Sequence, residues 1–185
     1  MIHSSRLQTN LIVSLILDVV FILLEIEAII EDYSYHYNVF IYYTQDSNYL
    51  ALAGCILYAV FAALALRNGS AVPYAVRVFK YIGLCCLLVT FIVVFTVLIP
   101  FDFSIGQNGF KSLLWPAGAF FHHLVCPVLL FVSFVLFDNG PKLPKQVILL
   151  ALIPTLIYAA VFIILNIARV IEGPYPSLMM YWQSV

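Results

Sequence analysis

Two adjacent histidines, His122 and His123, lie inside an apolar stretch, Leu113–Phe137, that is long enough to cross a bilayer. Imidazole titrates near neutral pH, and a polar group at membrane depth normally faces a protein interior or a wet cavity. Adjacent residues are about 100° apart around an α-helix, so we expect one histidine of the two to face any given cavity. The pair predicts a site capable of acid–base chemistry.

Three carboxylates lie in the first apolar stretch of the chain: Asp18, Glu25 and Glu27. Asp18 and Glu25 are seven residues apart and therefore share one face of a helix. Asp18 is near mid-depth and needs a partner or a neutralising proton. It could orient or pair with a histidine, or it could be protonated and hydrogen-bonded in the core. Glu27 points elsewhere and is expected to be solvated.

A short polar segment opens the second apolar stretch. Thr44, Ser47 and Asn48 share a helical face, and Ala51 and Cys55 continue that face with small residues. Small and polar side chains are common at helix contacts in membranes. The segment is therefore consistent with close helix packing or with part of a reactive site.

The composition identifies the elements that must position these residues. The chain is 64% hydrophobic and 9% charged, which is outside the range of soluble domains. We predict an all-α fold, a polytopic transmembrane helical bundle with residues 1–185 as a single membrane domain. Five apolar stretches are the predicted spans: Leu11–Ile30, Tyr49–Leu66, Tyr81–Pro100, Leu113–Phe137 and Val147–Ile171.

The basic residues predict an orientation for the five spans. Six fall on the side of the N-terminus: Arg6, Arg67, Arg77, Lys80, Lys142 and Lys145. Two fall on the opposite side: Lys111 and Arg169. Because basic residues concentrate on the cytoplasmic side, the N-terminus is expected there and the C-terminus outside or in a lumen.

Several functions are not expected from the composition and motifs. The net charge is −1 and no basic tail is present, which disfavours a nucleic-acid partner. We find no Gly-rich phosphate loop and no metal-spaced Cys/His set, so neither a cofactor nor a metal is expected. All four cysteines fall within predicted spans rather than in an outer loop. Three prolines, Pro116, Pro127 and Pro154, lie in or near spans and predict kinks.

Three motifs resemble the family of androgen-induced integral membrane proteins and its bacterial relatives. These proteins are intramembrane threonine hydrolases that cleave fatty acid esters of hydroxy fatty acids. The motifs are the segment Phe40–Asn48, the His122-His123 pair followed by Pro127, and the segment Gly173–Leu178. Their order and rough spacing agree with the family over most of the chain.

The resemblance implies a threonine nucleophile at the start of the second span and a histidine base in the fourth. Thr44 matches the first position. Aligning the family pattern on Ser133, where relatives tend to carry an acid, favours His123 as the base. Aligning it on Pro127 favours His122. We expect His123. A threonine hydroxyl needs such a base to remove its proton during attack. The implied substrate is a fatty-acyl ester that enters from the bilayer.

Other residues would complete such a site. Ser47 and Asn48 would donate hydrogen bonds to the developing oxyanion, and Asp18 or Glu25 would hold the imidazole tautomer. The chain departs from the family in two respects. It ends without the sixth span that usually follows the Tyr-Pro motif, and it lacks the acid that relatives carry near Ser133.

Two further functions remain open. Asp18, Glu25 and the histidines could form a proton or cation relay in a small transporter or channel-like protein, although no internal duplication supports a transporter. The polar residues could also only specify packing in a non-catalytic assembly partner. A hydrolase requires Thr44 Oγ close to a histidine nitrogen in a lipid-accessible pocket. A relay requires the histidines aligned with the carboxylates along a path to both faces.

Overall fold

A computed structural model of the protein describes residues 5–35, 42–115, 118–138 and 140–168. Four features predicted from sequence lie outside these ranges: Phe40, Pro116, Arg169 and Gly173–Leu178. The described residues form an all-α bundle without strands, as predicted. Its seven α-helices are α1 (Ser5–Tyr35), α2 (Tyr43–Asn68), α3 (Tyr74–Val93), α4 (Ile99–Ser104), α5 (Gly109–Leu114), α6 (Cys126–Phe137) and α7 (Lys145–Ile167).

The protein is a membrane protein by the length and composition of its helices. Among the described residues, three helical stretches are long and apolar enough to cross a membrane: Tyr43–Asn68, Tyr74–Ser104 and Lys145–Ile167. Helix α1 contains the whole of the first predicted span. The fourth predicted span is interrupted, because α5 ends at Leu114 and the apolar helix that follows is Phe121–Phe137. In the sequence Pro116 follows this end, and proline supplies no N–H to continue a helix.

Two π-helical turns, Val94–Leu98 and Phe121–Val125, precede Pro100 and Pro127. In the second turn the Cys126 N–H donates to the Phe121 carbonyl five residues earlier. The shift follows from Pro127, which has no N–H and whose ring would clash with the carbonyl four residues before it. The wider turn contains both histidines.

Helix α1 buries one stripe of residues three or four positions apart. The stripe is Leu11, Ser14, Asp18, Phe21, Glu25, Ala28 and Asp32, each at most 9% exposed. This spacing is that of a coiled-coil seam, and it faces α2 and α6. The predicted shared face of Asp18 and Glu25 is confirmed, and Glu27 is exposed as expected.

An apolar layer crosses the middle of the bundle. It consists of Phe21 of α1, Ala51 and Cys55 of α2, Leu84 and Leu87 of α3, and Cys126 and Leu130 of α6. Asp18 and Glu25 lie on opposite sides of Phe21 along the α1 stripe. The layer therefore divides the polar interior into two separate clusters.

The first cluster surrounds a buried ion pair between Lys80 and Asp18. Lys80 Nζ lies 2.7 Å and 2.6 Å from the two Asp18 oxygens, and both side chains are 0% exposed. Ser133 Oγ donates to Asp18 Oδ1 at 2.7 Å and accepts from Lys80 Nζ at 2.9 Å. Lys80 also lies 3.9 Å from the centre of the Tyr58 ring. All of these charges are paired and hydrogen-bonded.

A second buried ion pair joins α3 to the end of α6. Arg77 Nε lies 2.9 Å from Asp138 Oδ1, and Arg77 Nη1 donates to the Pro141 carbonyl at 3.1 Å. The orientation predicted from basic residues counted Arg77 and Lys80 as exposed cations of a connection, whereas both are buried in ion pairs. Each is buried because a carboxylate and further hydrogen-bond partners lie within reach.

Helices α2 and α3 approach closely at Gly83. A Cβ at this position would lie 2.7 Å from the Ala51 Cα, which belongs to the backbone. Alanine normally favours a helix over glycine, but here the added methyl group forces the helices apart. We expect Gly83→Ala to lower the free energy of unfolding by about 1–3 kcal/mol, as measured by unfolding in detergent.

Gly54→Ala is the matched control for this prediction. Its Cβ would lie 3.2 Å from the Lys80 Cα, a contact that smaller shifts relieve. A Gly83→Ala protein as stable as the wild type would show that the two helices are not held at this distance.

Candidate functional site

The second polar cluster centres on His122, which the π-helical turn directs into the bundle. His122 Nδ1 lies 2.9 Å from Glu25 Oε1, and these side chains are 1% and 0% exposed. On the other side of the ring, Nε2 lies 3.3 Å from Asp32 Oδ2. Both carboxylates belong to the α1 stripe, where they are seven residues apart. The ring therefore lies between two acids.

Helix α2 contributes amides to this cluster. The side-chain amide nitrogen of Gln45 donates to Asp32 Oδ2. Asn48 lies one turn further along α2 and is fully buried. Along α2, Asn48 lies between Gln45, which pairs with Asp32, and Ala51, which belongs to the Phe21 layer. On α1, Glu25 lies between Asp32 and Phe21. Asn48 and Glu25 are therefore at the same level of the bundle. Neither the amide nitrogen nor the amide oxygen of Asn48 has a hydrogen-bond partner among the described residues.

Thr44 occupies the first turn of α2, beside Gln45, and is half-buried. Its carbonyl accepts a hydrogen bond from Ser47 Oγ at 2.8 Å. Ser47 is buried, and its hydroxyl also lies 2.9 Å from Thr90 Oγ1. Within the described ranges, no hydrogen bond joins the Thr44 hydroxyl to either imidazole. Thr44 therefore lies next to the His122 cluster, but the contact between its hydroxyl and an imidazole nitrogen that a hydrolase requires is absent from this arrangement.

His123 is directed away from the carboxylates. Its Nδ1 lies 2.5 Å from the Leu113 carbonyl in α5, and the residue is half-buried. This contact ties the π-helical turn to the chain segment that precedes it. The expectation that His123 is the base remains a prediction. In the structure, the imidazole that contacts the carboxylates is that of His122.

Asp18 was expected beside the histidines, and two other buried residues were not expected from the sequence. Asp18 pairs with Lys80 instead of an imidazole, whereas Glu25 lies 2.9 Å from Nδ1 of His122. Lys80 and Asp32 were not considered as site residues. The seven-residue spacing from Glu25 to Asp32 was a usable signal, because it extends the same helical face by two turns.

The charge of this cluster differs from that of the other buried ions. Asp18 pairs with Lys80 and Asp138 with Arg77, one acid for each base. Around His122, two carboxylates face one imidazole, so with both acids ionised even the doubly protonated, positively charged ring leaves one negative charge uncompensated. The described residues contain no group of three or more His, Cys, Asp and Glu side chains that could hold a metal ion.

A separate groove lies between α2, α3 and α7. Its volume is about 460 Å³, within the range of small-molecule sites. Tyr43, Asp46 and Ser47 line it from α2, and Tyr158 and Phe162 line it from α7. Thr44 and the histidines do not line it. The groove and the His122 cluster are therefore different parts of the structure.

No protein-family model, curated protein or solved structure matches this chain. The resemblance to the intramembrane threonine hydrolases therefore stays a prediction.

Proposed function

We propose that this membrane protein is a lipid-ester hydrolase in which Thr44 is the nucleophile and His122, held by Glu25, is the base. The observation that carries the proposal is the 2.9 Å contact between Glu25 Oε1 and His122 Nδ1 inside the bundle. A carboxylate at one ring nitrogen orients an imidazole and leaves the other nitrogen to accept a proton. Histidine bases activate threonine and serine hydroxyls in this way.

The first step of the reaction requires one local exchange. His122 Nε2 faces Asp32, which is held by Gln45, the residue next to Thr44. When substrate binding releases Asp32 from the ring, Nε2 can accept the proton of the Thr44 hydroxyl. Rotation of side chains at the start of α2 is therefore part of the catalytic cycle.

Bond changes in the proposed cycle balance without a cofactor. The Thr44 oxygen forms a bond to the acyl carbon, and its proton passes to His122. The ester bond then breaks, and the leaving alkoxide takes that proton. A water molecule attacks the acyl-threonine by the same route and releases the fatty acid. The free amide of Asn48 is available to stabilise the oxyanion, a contribution of about 3 kcal/mol in other enzymes.

The substrate in this proposal is a fatty-acyl ester that enters from the bilayer. The apolar outer surfaces of the helices favour a substrate with long hydrocarbon chains. The proposal retains the orientation with the N-terminus cytoplasmic and the C-terminus outside or in a lumen. Arg77 and Lys80 are buried in ion pairs, so the predicted orientation depends on the other basic residues of that side: Arg6, Arg67, Lys142 and Lys145.

A proton or cation relay is the second candidate. The two carboxylates around His122 favour it, because such a cluster readily exchanges a proton. The apolar layer around Phe21 disfavours it, since it separates Asp18 and Lys80 from Glu25 and His122. A relay that serves both faces of the membrane would need water to cross that layer.

A comparison of the two histidines tests the proposal. We expect His122→Gln to lower the rate of long-chain ester hydrolysis by about 100-fold or more, because the proton acceptor is lost. His123→Gln is the matched control, and we expect it to retain most of the rate. Unfolding curves in detergent check that both variants fold. A large loss in His123→Gln with activity retained in His122→Gln would move the base to His123.

A further inference from the structure

The groove between α2, α3 and α7 is unused by the proposed hydrolase. Its walls are mostly apolar, with Leu50 of α2 and Leu165 of α7 among them. Helix α7 packs mainly against α3, and its rim residues Ile157 and Val161 are 58% and 49% exposed. The groove is therefore open at the lipid-facing side of the bundle, where an amphiphile can enter.

One end of the groove holds a carboxylate without a cation. Asp46 is half-buried in the first turn of α2, and no basic residue lines the groove in the described part of the chain. Within the same ranges, no ion pair joins Asp46 to another residue. A carboxylate in an apolar groove is costly unless a positive charge offsets it.

Aromatic rings surround the same end. Tyr43 and Tyr158 meet edge to face with their centres 5.1 Å apart, and Tyr158 stacks on Phe162 at 5.4 Å. The hydroxyl of Tyr43 lies 2.6 Å from Thr155 Oγ1, which fixes the orientation of its ring. The faces of such rings attract ammonium ions, and rings beside a carboxylate are a recurring way to bind alkylated ammonium groups.

We propose that this groove binds an amphiphile with one alkyl chain and an ammonium head group. The ammonium lies between Asp46 and the rings of Tyr43, Tyr158 and Phe162, and the alkyl chain follows the apolar walls towards Leu50. A single positive head group fits because the described lining of the groove carries one negative charge and no cation to receive a phosphate. The site is separate from the His122 cluster, so it does not depend on the hydrolase proposal.

Competitive photolabelling tests this site. The probe is an alkyltrimethylammonium with a diazirine in its chain, applied to the purified protein in a neutral maltoside detergent. We expect mass spectrometry to find label in α2 and α7 at the groove. Unlabelled alkyltrimethylammonium should compete, and an alkyl sulfate of equal chain length should not.

Variants at the charged end sharpen the test. We expect Asp46→Asn to raise the half-maximal competitor concentration by about tenfold and Tyr158→Leu by about fivefold. The control is Glu27→Gln, which removes an exposed acid outside the groove and should change nothing. Equal competition by ammonium and sulfate, or no effect of Asp46→Asn, would overturn the proposal and identify a cleft for alkyl chains of any charge.

Discussion

Replacing Lys80 with methionine is expected to lower the free energy of unfolding by about 3–5 kcal/mol. The variant keeps a side chain of similar length but leaves Asp18 fully buried without its cation, so the carboxylate must stay unpaired or take up a proton, and either costs stability. Ser133 donates a hydrogen bond to the carboxylate and lies against Ser14, but neither hydroxyl neutralises the charge. Chemical unfolding in detergent micelles, followed by circular dichroism, measures the change.

Two further variants separate charge from packing in this result. Lys142→Met removes an exposed lysine and should change stability by less than about 0.5 kcal/mol. The double variant Asp18→Asn/Lys80→Met removes both charges and should recover much of the loss, because a neutral pair avoids the uncompensated ion. A double variant no more stable than Lys80→Met alone would contradict the assigned role of the ion pair.

The second large effect is expected at Thr44. Under the proposed mechanism Thr44→Ala removes the nucleophile, so we expect the rate constant for ester hydrolysis to fall by about 1,000-fold or more. Stability should change little because the Thr44 side chain is half-buried, and its carbonyl still accepts from Ser47. Single-turnover hydrolysis of a long-chain ester measures the effect.

Conservative and neighbouring variants control this experiment. Thr44→Ser retains a hydroxyl and should keep measurable activity. Ser47→Ala removes the nearest other hydroxyl on α2, which lies against Thr90, and should retain more activity than Thr44→Ala. If Ser47→Ala were inactive and Thr44→Ala active, the nucleophile would be Ser47.

Periodicity in the sequence was sufficient to predict part of the interior. The seven-residue spacing of Asp18 and Glu25 indicated one face of one helix, and both are buried there. The spacing could not identify their partners, because Lys80 and His122 lie on other helices and pairing depends on register between helices. Lys80 resembled a loop cation because it follows a short connection.

The histidine pair shows a similar limit. Helical geometry predicted that one ring would face a cavity, and the structure places His122 between two acids. Which ring does so depends on the π-helical turn before Pro127, since five-residue bonding changes the angle between successive side chains. Pro127 indicated an irregular turn from the sequence alone. The direction in which that turn points each histidine ring could be known only from the fold.

Covalent trapping of the nucleophile tests the hydrolase proposal directly. The purified protein is treated with a long-chain alkyl fluorophosphonate, and the modified residue is located by peptide mass spectrometry. We expect modification of Thr44, strongly reduced in His122→Gln and retained in His123→Gln. Modification at another residue, or no modification of Thr44 in protein that hydrolyses long-chain esters, would contradict it.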